Sequence, residues 1–276
     1  MTDRFVKTGV IGHPISHSKS PLIHSYWIDK YGLSGSYEAI DFDTDNFKQG
    51  VADLIEKGFS GFNITIPHKI AAMNVCDELS EEAKQIGAVN TIYLNKHNKI
   101  CGTNTDAFGF IHNIRQNKPE EWDFNYGKAL ILGAGGAAQA IVYGLLKAGV
   151  PEVILVNRTR EKAEAIASNF DRLVVSDWSE RHALAAECTL IVNTTSLGME
   201  GQAELDLDLS GVRDALVTDI VYAPLMTPLL VQAQALNLPI VTGIGMLLHQ
   251  ARPGFELWHG IMPEVTPELE ELVLSS

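Results

Sequence analysis

The chain has 276 residues, 46% of them hydrophobic, and it carries 21 Lys and Arg against 34 Asp and Glu, a formal net charge of −13. This length and hydrophobic content allow one large domain or two modest ones with a substantial core, and neither disorder nor a fibrous fold is indicated. The negative charge would repel nucleic acid and anionic membranes, and no basic run offsets it. Neither an apolar signal segment nor a run of about 18 apolar residues occurs. We therefore expect a cytoplasmic enzyme or binding protein, with no nucleic-acid or membrane partner.

The three cysteines, Cys76, Cys101 and Cys188, are odd in number and far apart in the chain. This spacing argues against a disulfide framework and against a CxxC metal or redox site, so we interpret them as small buried hydrophobic residues. No HExxH motif or other cluster of His and carboxylate residues indicates a set of metal ligands. We expect no metal.

Short apolar strands alternate along the chain with Gly or Pro turns and amphipathic helices, and this rhythm predicts an α/β fold. The first series of elements predicts five strands, over residues 7–11, 36–41, 61–65, 88–94 and 99–103. Its helices are predicted over residues 21–30, 44–57 and 80–86.

A second series of elements follows a polar stretch. It predicts strands over residues 129–132, 153–156, 190–193, 215–219 and 239–241. The stretch 113–127 is the candidate linker between two α/β units. The tail, 246–274, is predicted to be helical with Pro interruptions, and pattern alone assigns it to either unit.

The predicted strand 129–132 runs directly into a glycine-rich turn that matches G-x-G-x-x-G/A, with Ala138 in the last position. The turn consists of Gly133, Ala134, Gly135, Gly136 and Ala137. A helix follows, and the next strand arrives within the roughly 30 residues of a βαβ unit. Small residues let backbone N–H groups approach a pyrophosphate at the positive end of the helix. This context favours dinucleotide binding over a merely tight turn.

The residues after the second strand of this βαβ unit distinguish NAD from NADP. NAD enzymes usually place an Asp or Glu here to bind the ribose 2′-hydroxyl, whereas this chain has Asn157, Arg158 and Thr159. An Arg guanidinium can pair with a 2′-phosphate, and the two flanking residues add donors. Two plainer interpretations stay open: Arg158 as a solvated loop charge, and Thr159 as the N-cap of a helix that begins at Glu161. The sequence favours NADP.

Polar residues also follow several strands of the first series. Alternation points Asn63 and Thr65 to one face of the sheet, and Lys69 follows at the carboxyl end of that strand, where α/β folds collect ligands. Further polar groups near strand ends are Ser18, Ser20, Asn90 and Asp106. On spacing alone, Ser20 serves equally well as a helix N-cap and Lys69 as a solvated charge. Together these groups suit a small polyhydroxylated substrate.

The order of these motifs resembles the shikimate dehydrogenases. In the first half, the resemblance rests on His17-Ser18-Lys19-Ser20-Pro21, Asn63-x-Thr65-x-Pro67-x-Lys69, Gly87-Ala88-Val89-Asn90-Thr91 and Asn104-Thr105-Asp106. In the second half it rests on the glycine-rich turn, Asn157-Arg158-Thr159, Asn193-Thr194-Thr195-Ser196-x-Gly198-Met199, Asp219-x-x-Tyr222-x-Pro224 and Gly243-x-Gly245-Met246-Leu247-x-x-Gln250. The resemblance spans about residues 10–260.

The resemblance implies an enzyme that reversibly reduces 3-dehydroshikimate to shikimate with NADPH, in the pathway to chorismate and the aromatic amino acids. It implies that Lys69 and Asp106 are the catalytic pair, with Lys69 as proton donor and acceptor. Substrate contacts are implied for Ser18, Ser20, Asn63, Thr65, Asn90, Asp106, Tyr222 and Gln250, the two serines at the carboxylate. Cofactor contacts are implied for Gly133, Ala134, Gly135, Gly136, Ala137, Asn157, Arg158, Thr159, Ile220 and Gly243, the last two at the nicotinamide.

The same resemblance implies two domains. Residues 1–106 and 245–276 would form an N-terminal α/β domain for substrate binding and catalysis, to which the C-terminal helices return. Residues 107–244 would form a doubly wound, Rossmann-type NADP-binding domain. We expect a monomer or a homodimer.

The sequence departs from the family at three positions. Ser25 and Tyr26 follow His24 where the family commonly has Asn, and Thr194 stands where it commonly has Ala. None of these matches a catalytic position, so they affect packing and loop contacts rather than the reaction.

Two rival functions stay open. A quinate or mixed quinate/shikimate dehydrogenase often uses NAD and would favour an acidic residue near position 157. A non-catalytic NADP-sensing protein would keep the glycine-rich turn but lose Lys69 or Asp106, and both are present. Three histidines near the proposed site, His13, His17 and His68, are alternative acids, although nothing in the sequence directs them to the carbonyl.

Overall fold

The structure, a computed structural model, describes residues 5–43 and 46–276. Contacts between Cα atoms divide the chain into two compact units. Unit 1 comprises Met1–Thr105 and Leu248–Ser276, and unit 2 comprises Asp106–Leu247. Each unit contains a six-stranded sheet and helices packed on it, which confirms the predicted α/β class.

The sheet of unit 1 is mixed. Its strands are β1 (Val6–Gly12), β2 (Gly35–Asp41), β3 (Phe59–Ile64), β4 (Glu78–Leu79), β5 (Thr91–Leu94) and β6 (Ile100–Thr103). They lie in the order β2-β1-β3-β5-β6-β4, with β1 parallel to β2 and β3, and β5 antiparallel to both neighbours. All five predicted strands are confirmed, but the one expected from residue 88 begins at Thr91. The amide of Val89 bonds instead to the carbonyl of Lys69, 2.9 Å away in the turn after β3.

The helices predicted in the first part of unit 1 are present. They are α1 (Ser20–Lys30), α2 (Phe47–Glu56) and α3 (Glu81–Ile86). Thr44 and Asp45, the expected start of the second helix, lie outside the described residues. The N-cap of α1 is Lys19, and Ser20 is the first helical residue, followed by Pro21. The interpretation of Ser20 as an N-cap is therefore wrong. Pro21 lies in the first turn, where its fixed φ suits the helix and where a backbone N–H would have no acceptor within the helix.

The sheet of unit 2 is entirely parallel. Its strands are β7 (Lys128–Leu132), β8 (Glu152–Val156), β9 (Leu173–Ser176), β10 (Leu190–Asn193), β11 (Leu216–Asp219) and β12 (Ile240–Val241). They lie in the order β12-β11-β10-β7-β8-β9. The chain thus runs outward from β7 in one direction and from β10 in the other, which is the doubly wound Rossmann arrangement. Ligands of such folds bind where the order reverses, at the carboxyl ends of β7 and β10.

The helices of unit 2 cover both faces of this sheet. They are α4 (Asp106–Asn117), α5 (Gly136–Ala148), α6 (Arg160–Ala167), α7 (Arg181–Ala185) and α8 (Pro228–Ala235). Ile111 and Ile141 belong to the apolar cluster on one face, and Ala185 and Leu230 to the cluster on the other. The strands between the clusters are buried on both sides, which is why they read as continuous apolar runs.

The predicted linker 113–127 is wrong. Its first five residues are the last turn of α4, and the aromatic side chains of Trp122 and Phe124 belong to the buried core of unit 2. The Trp122 indole donates to the carbonyl of Thr189 at 3.1 Å. The polar composition of this stretch suggested a linker, but two aromatic anchors bury it against the unit.

The tail is helical, as expected, and forms two helices, α9 (Ile244–His259) and α10 (Pro267–Leu274). Pro253 lies inside α9. From Leu248 onward the tail belongs to unit 1. Trp258 of α9 donates to the carbonyl of Ile92 at 3.0 Å, and an added Cβ at Gly61 would collide with the Trp258 ring. Gly61 therefore allows α9 to pack directly on the sheet of unit 1.

The cysteines behave as small apolar residues. Cys101 and Cys188 are buried, Cys76 is partly buried, and all three are free thiols. Burial raises the pKa of Cys76 and of Cys188 to about 12, which keeps both protonated. No helix within the described ranges, 5–43 and 46–276, has both the length and the apolar character to span a membrane.

Candidate active site

The glycine-rich turn lies at the carboxyl end of β7, where the strand order of unit 2 reverses. Gly133 has φ of +106°, and its amide donates to the carbonyl of Val156 at 2.8 Å. This left-handed conformation favours glycine, and an added Cβ would lie 2.7 Å from Cγ2 of Thr195. At Gly135 and Gly136, by contrast, an added Cβ would meet no atom within 4 Å. The turn is thus an open cradle at the N-terminus of α5, of the kind that accepts a phosphate.

Asn157 connects this turn to the loop after β8. Its Oδ1 accepts from the amide of Ala134 at 3.1 Å, and its Nδ2 donates to the carbonyl of Thr159 at 2.7 Å. Thr159 is the N-cap of α6, as the plainer interpretation had it, but its side chain makes no capping hydrogen bond. The side-chain amide of Asn157 therefore links the glycine-rich turn to the loop after β8.

The arginine loop, from the end of β8 to the start of α6, contains Arg158 and Arg160, and the two arginines have different surroundings. Arg160 pairs with Glu164 at 2.8 Å and with Asp177 at 2.6 Å. Arg158 is exposed, and no ion pair found between described residues includes it. Arg158 is therefore available to an anionic ligand, whereas Arg160 is held by its own element.

Gly243 packs against the main chain that follows β11. An added Cβ would lie 2.7 Å from the carbonyl oxygen of Asp219, 2.6 Å from that of Ile220 and 2.5 Å from that of Val221. The buried carboxylate of Asp219 accepts from the amide of Val221 at 2.9 Å and from the hydroxyl of Thr227 at 2.8 Å. Burial raises the Asp219 pKa, and these donors oppose the rise. The loop that carries Ile220 is fixed by this carboxylate.

Two further residues of unit 2, Thr194 and Tyr222, lie in the family motifs. Thr194, the departure from the family pattern, donates from Oγ1 to the carbonyls of Leu132 at 2.9 Å and Gly133 at 3.0 Å, so it ties β10 to the glycine-rich turn. Tyr222 is partly buried, and burial raises its pKa. Its hydroxyl stays protonated near neutral pH.

Five polar residues of unit 1 form one hydrogen-bonded cluster near strand ends: Asn63, Asn90, Thr91, Thr105 and Gln250. Asn63 on β3 donates to Oγ1 of Thr91 at 3.1 Å, and Thr91 donates to Oδ1 of Asn90 at 3.0 Å. Oδ1 of Asn90 also accepts from the amide of Thr105 at 2.8 Å, and the Thr105 hydroxyl donates to the carbonyl of Gln250 at 2.7 Å. The structure thus brings together Asn63, Asn90 and Gln250, three predicted substrate contacts.

The loop between β1 and α1, which contains Ser18, lies beside the end of β3. Oγ of Ser18 accepts from the amide of Ser20 at 3.3 Å. An added Cβ at Gly12 would collide with Cγ2 of Thr65, so the loop leaves β1 in close contact with Thr65. Lys69 follows in the next turn, partly buried, with its carbonyl bonded to Val89. The predicted residues of this unit therefore share one end of the sheet.

Asp106 is the first residue of α4 and is buried. It belongs to unit 2, whereas Lys69 belongs to unit 1. Their roles as a catalytic pair stay predictions.

Two of the three alternative acids, His13 and His68, have other partners, whereas His17 is exposed. His13 is exposed and lies 2.6 Å from the carboxylate of Asp41, whose hydrogen bond raises the His13 pKa. His68 is buried, bonds through Nε2 to the carbonyl of Phe42 at 2.9 Å and stacks on Phe47. Across the described part of the chain, no group of three or more His, Cys, Asp and Glu side chains could hold a metal ion.

Sequence reasoning missed several polar residues that support the site. Tyr37, Thr91 and Thr105 in unit 1 and Asn193 in unit 2 are buried and hydrogen-bonded to predicted site residues or to their neighbours. In the sequence, Tyr37 looks like an ordinary strand residue. Thr91 and Thr105 lie inside the family motifs, directly beside predicted site residues, and that adjacency was the signal that could have singled them out.

Three family models match the chain. The substrate binding domain of shikimate dehydrogenase matches residues 10–92, the shikimate / quinate 5-dehydrogenase model matches residues 115–199, and the C-terminal domain of shikimate 5'-dehydrogenase matches residues 243–267.

Proteins similar over nearly their whole length include both shikimate and quinate enzymes. The shikimate dehydrogenase (NADP(+)) of Rhodospirillum rubrum is 47% identical over 272 residues, 96% of each chain. The quinate dehydrogenase of Corynebacterium glutamicum, solved with NAD, has a TM-score of 0.91 at 30% identity and covers 99% of this chain and 100% of its own. The shikimate 5-dehydrogenase of Thermus thermophilus, solved with NADP(H) and shikimate, has a TM-score of 0.85 at 36% identity over 97% and 98%. With its open glycine cradle, its arginine loop and its polar strand ends, this chain belongs to the shikimate dehydrogenase family.

Proposed function

We propose that this chain catalyses the reversible NADPH-dependent reduction of 3-dehydroshikimate to shikimate. The observation that carries the proposal is the 47% identity, over 96% of both chains, to a shikimate dehydrogenase (NADP(+)). Fold likeness alone would not suffice, since Rossmann folds serve many reactions. The open cradle and the arginine loop of unit 2, and the amide cluster of unit 1, add residue-level support.

Substrate binding and catalysis are assigned to residues 1–106 and 245–276, and NADP binding to residues 107–244. In the first group, Ser18 and Ser20 bind the substrate carboxylate. The ring, its hydroxyls or the carboxylate are held by Asn63, Thr65, Asn90, Asp106, Tyr222 and Gln250. The hydrogen bonds that join Asn63, Asn90 and the main chain at Gln250 support a preorganised site.

The residues of unit 2 fit a dinucleotide that carries a 2′-phosphate. The turn borders open space at Gly135 and Gly136, at the N-terminus of α5, which suits the pyrophosphate, and Gly133, Ala134 and Ala137 are assigned to the same group. Arg158 supplies a guanidinium for the 2′-phosphate, with Asn157 and Thr159 beside it. Ile220 and Gly243 are assigned to the nicotinamide end.

The bound cofactor supplies the hydride that reduces the ketone carbon. Lys69 donates a proton to the ketone oxygen as it becomes a hydroxyl, and takes that proton back in the reverse direction. The ammonium also stabilises the negative charge that develops on this oxygen. Asp106 is the partner of Lys69 and accepts a hydrogen bond from a substrate hydroxyl.

The rival function is quinate oxidation with NAD, which the Corynebacterium glutamicum structure represents. The loop after β8 opposes it, because Arg158 pairs with a 2′-phosphate that NAD does not carry. Asn157 stands where an acidic residue would favour the ribose of NAD.

A spectrophotometric assay of the purified protein tests the proposal. Shikimate with NADP⁺ is expected to give rapid growth of NADPH absorbance, and kcat/KM for quinate is expected to be at least about tenfold lower. Comparable kcat/KM values for the two substrates would move the assignment to the mixed quinate/shikimate enzymes. Absence of turnover with intact NADP⁺ binding would support the non-catalytic sensor.

A cytoplasmic location, a monomeric or homodimeric state and the absence of nucleic-acid and membrane partners complete the proposal. The net charge of −13 supports the last part, because anionic polymers and surfaces would repel the chain.

A further inference from the structure

Tyr37 on β2 has a buried hydroxyl group that bonds to a predicted substrate contact on another strand. Its side chain is 6% exposed, and its hydroxyl donates to Oδ1 of Asn63, 2.6 Å away. β1 separates the two strands, with Thr8 paired to Tyr37 and Val10 paired to Asn63. Tyr37 therefore reaches across β1 to Asn63.

The orientation of the Asn63 amide follows from its other neighbours. Nδ2 lies 3.4 Å from the carbonyl oxygen of Asn90 and 3.1 Å from Oγ1 of Thr91. A backbone carbonyl only accepts hydrogen bonds, so the amide group that faces it is the NH2. The carbonyl of the Asn63 amide then faces Tyr37, whose hydroxyl must donate. Three partners, Tyr37 on the oxygen and the Asn90 carbonyl and Thr91 hydroxyl on the nitrogen, hold this amide in one orientation.

Packing holds the tyrosine in place. The imidazole of His24 stacks on the Tyr37 ring with centroids 4.1 Å apart and planes within 1°. His24 is fully buried, and burial lowers its pKa to about 3, so the ring is neutral and adds no charge beside the hydroxyl. Burial also raises the pKa of Tyr37, which keeps its hydroxyl protonated as a donor.

We infer that Tyr37 is a positioning residue for substrate binding, which holds the Asn63 amide in the orientation that receives shikimate. The inference rests on the proposed function, because it requires Asn63 to contact the substrate. Loss of the Tyr37 hydroxyl leaves Oδ1 of Asn63 buried without a donor, and such an amide rotates toward any other partner. Substrate binding weakens, while the groups that transfer hydride and proton stay in place.

Tyr37→Phe, which removes only the hydroxyl, tests this. KM and the calorimetric Kd for shikimate are expected to rise roughly three- to tenfold, the scale of one hydrogen bond, with kcat within about twofold and the Kd for NADP⁺ unchanged. Tyr26→Phe is the matched control. It removes a hydroxyl 3.0 Å from that of Thr266, elsewhere in unit 1, and is expected to leave all four constants unchanged.

A double-mutant cycle separates positioning from general loosening. Asn63→Ala alone should raise KM for shikimate, and Tyr37→Phe should add nothing in that background, because the amide it orients is gone. An equal added rise in the Asn63→Ala background, or a lowered Tm with an unchanged KM, overturns the inference. If Asn63→Ala itself leaves KM unchanged, the assignment of Asn63 to the substrate fails, and the inference fails with it for that separate reason.

Thr91→Val gives a second route that does not depend on the folding of the tyrosine variant. It removes the nearer of the two acceptors of the Asn63 NH2 group, leaving the Asn90 carbonyl at 3.4 Å, and Thr91 is fully buried. A rise in the shikimate KM of similar size supports the inference. An unchanged KM overturns it.

Discussion

Lys69 lies in the turn after β3, where its carbonyl is bonded to the amide of Val89 at 2.9 Å. This main-chain hydrogen bond does not involve the Lys69 side chain, so a substitution there should leave the turn in place. Lys69→Met removes the charge and keeps the length of the side chain. We expect kcat for shikimate oxidation to fall about a hundredfold or more, as for loss of a general acid–base group. The calorimetric Kd for shikimate should change modestly, since other residues hold the ground state.

Lys57→Met is the matched control, since Lys57 is an exposed lysine just after α2, and its kcat should equal that of the unmodified chain. A Lys69→Met variant with near-normal kcat and only a raised KM would make Lys69 a binding residue. The proton would then come from water or from Asp106.

We expect the arginine loop, from the end of β8 to the start of α6, to determine the choice of cofactor. Arg158→Ala should weaken NADP⁺ binding roughly ten- to a hundredfold, the loss of one charge-assisted hydrogen bond. Binding of NAD⁺ should change little, because NAD⁺ has no 2′-phosphate. Calorimetric or fluorescence titration with both cofactors measures this difference.

The same element contains the control. Arg160→Ala breaks the ion pairs with Glu164 and Asp177, so it should affect the stability of α6 rather than the ratio of NADP⁺ to NAD⁺ affinity. Equal weakening of both cofactors by Arg158→Ala would show that Arg158 supports the loop and does not read the phosphate.

For the whole molecule, the buried His24 makes folding stability depend on pH. Its pKa is lowered by burial first and by the nearby His259 second, to about 3 from 6.5 in the unfolded chain. At pH values between about 3 and 6.5, His24 is protonated in the unfolded chain and neutral in the folded chain, so the free energy of unfolding falls as pH falls. One such group costs about 2 kcal/mol of unfolding free energy from about pH 7 to about pH 5. The His259 pKa, lowered to about 4 by burial, acts in the same direction.

His24→Phe keeps an aromatic ring beside Tyr37, Trp27 and Phe255 and removes the titration, so urea unfolding midpoints should vary less with pH in this range. His13→Asn is the contrasting variant. Asp41 raises the His13 pKa, so the stability from that pair is present below about pH 6.5 and is lost only above it. Between about pH 5 and pH 6 the slope for His13→Asn should therefore match the unmodified chain. An unaltered slope in His24→Phe would refute the assignment of this effect to His24.

The sequence by itself determined the features that depend on neighbouring residues. After their first residues, Lys128 and Glu152, β7 and β8 are uninterrupted apolar runs because a parallel strand is buried on both faces. Gly133 has a left-handed φ that glycine adopts freely, so the glycine-rich sequence was sufficient to predict the turn. The two-residue strand β4 carries no periodicity, and α4 was hidden because its polar end resembled a linker.

Only the tertiary structure decided which distant residues meet. The partners of Asn63 are Tyr37, 26 residues before it, and Thr91, 28 residues after it. Thr105 meets the carbonyl of Gln250, 145 residues later, through the return of α9 to unit 1. Side-chain alternation says which face of a strand is buried but not which strands are neighbours or in what register. The sequence therefore determined the chemical groups and local turns of the site, whereas strand order brought Tyr37 to Asn63 and the path of α9 brought Gln250 to Thr105.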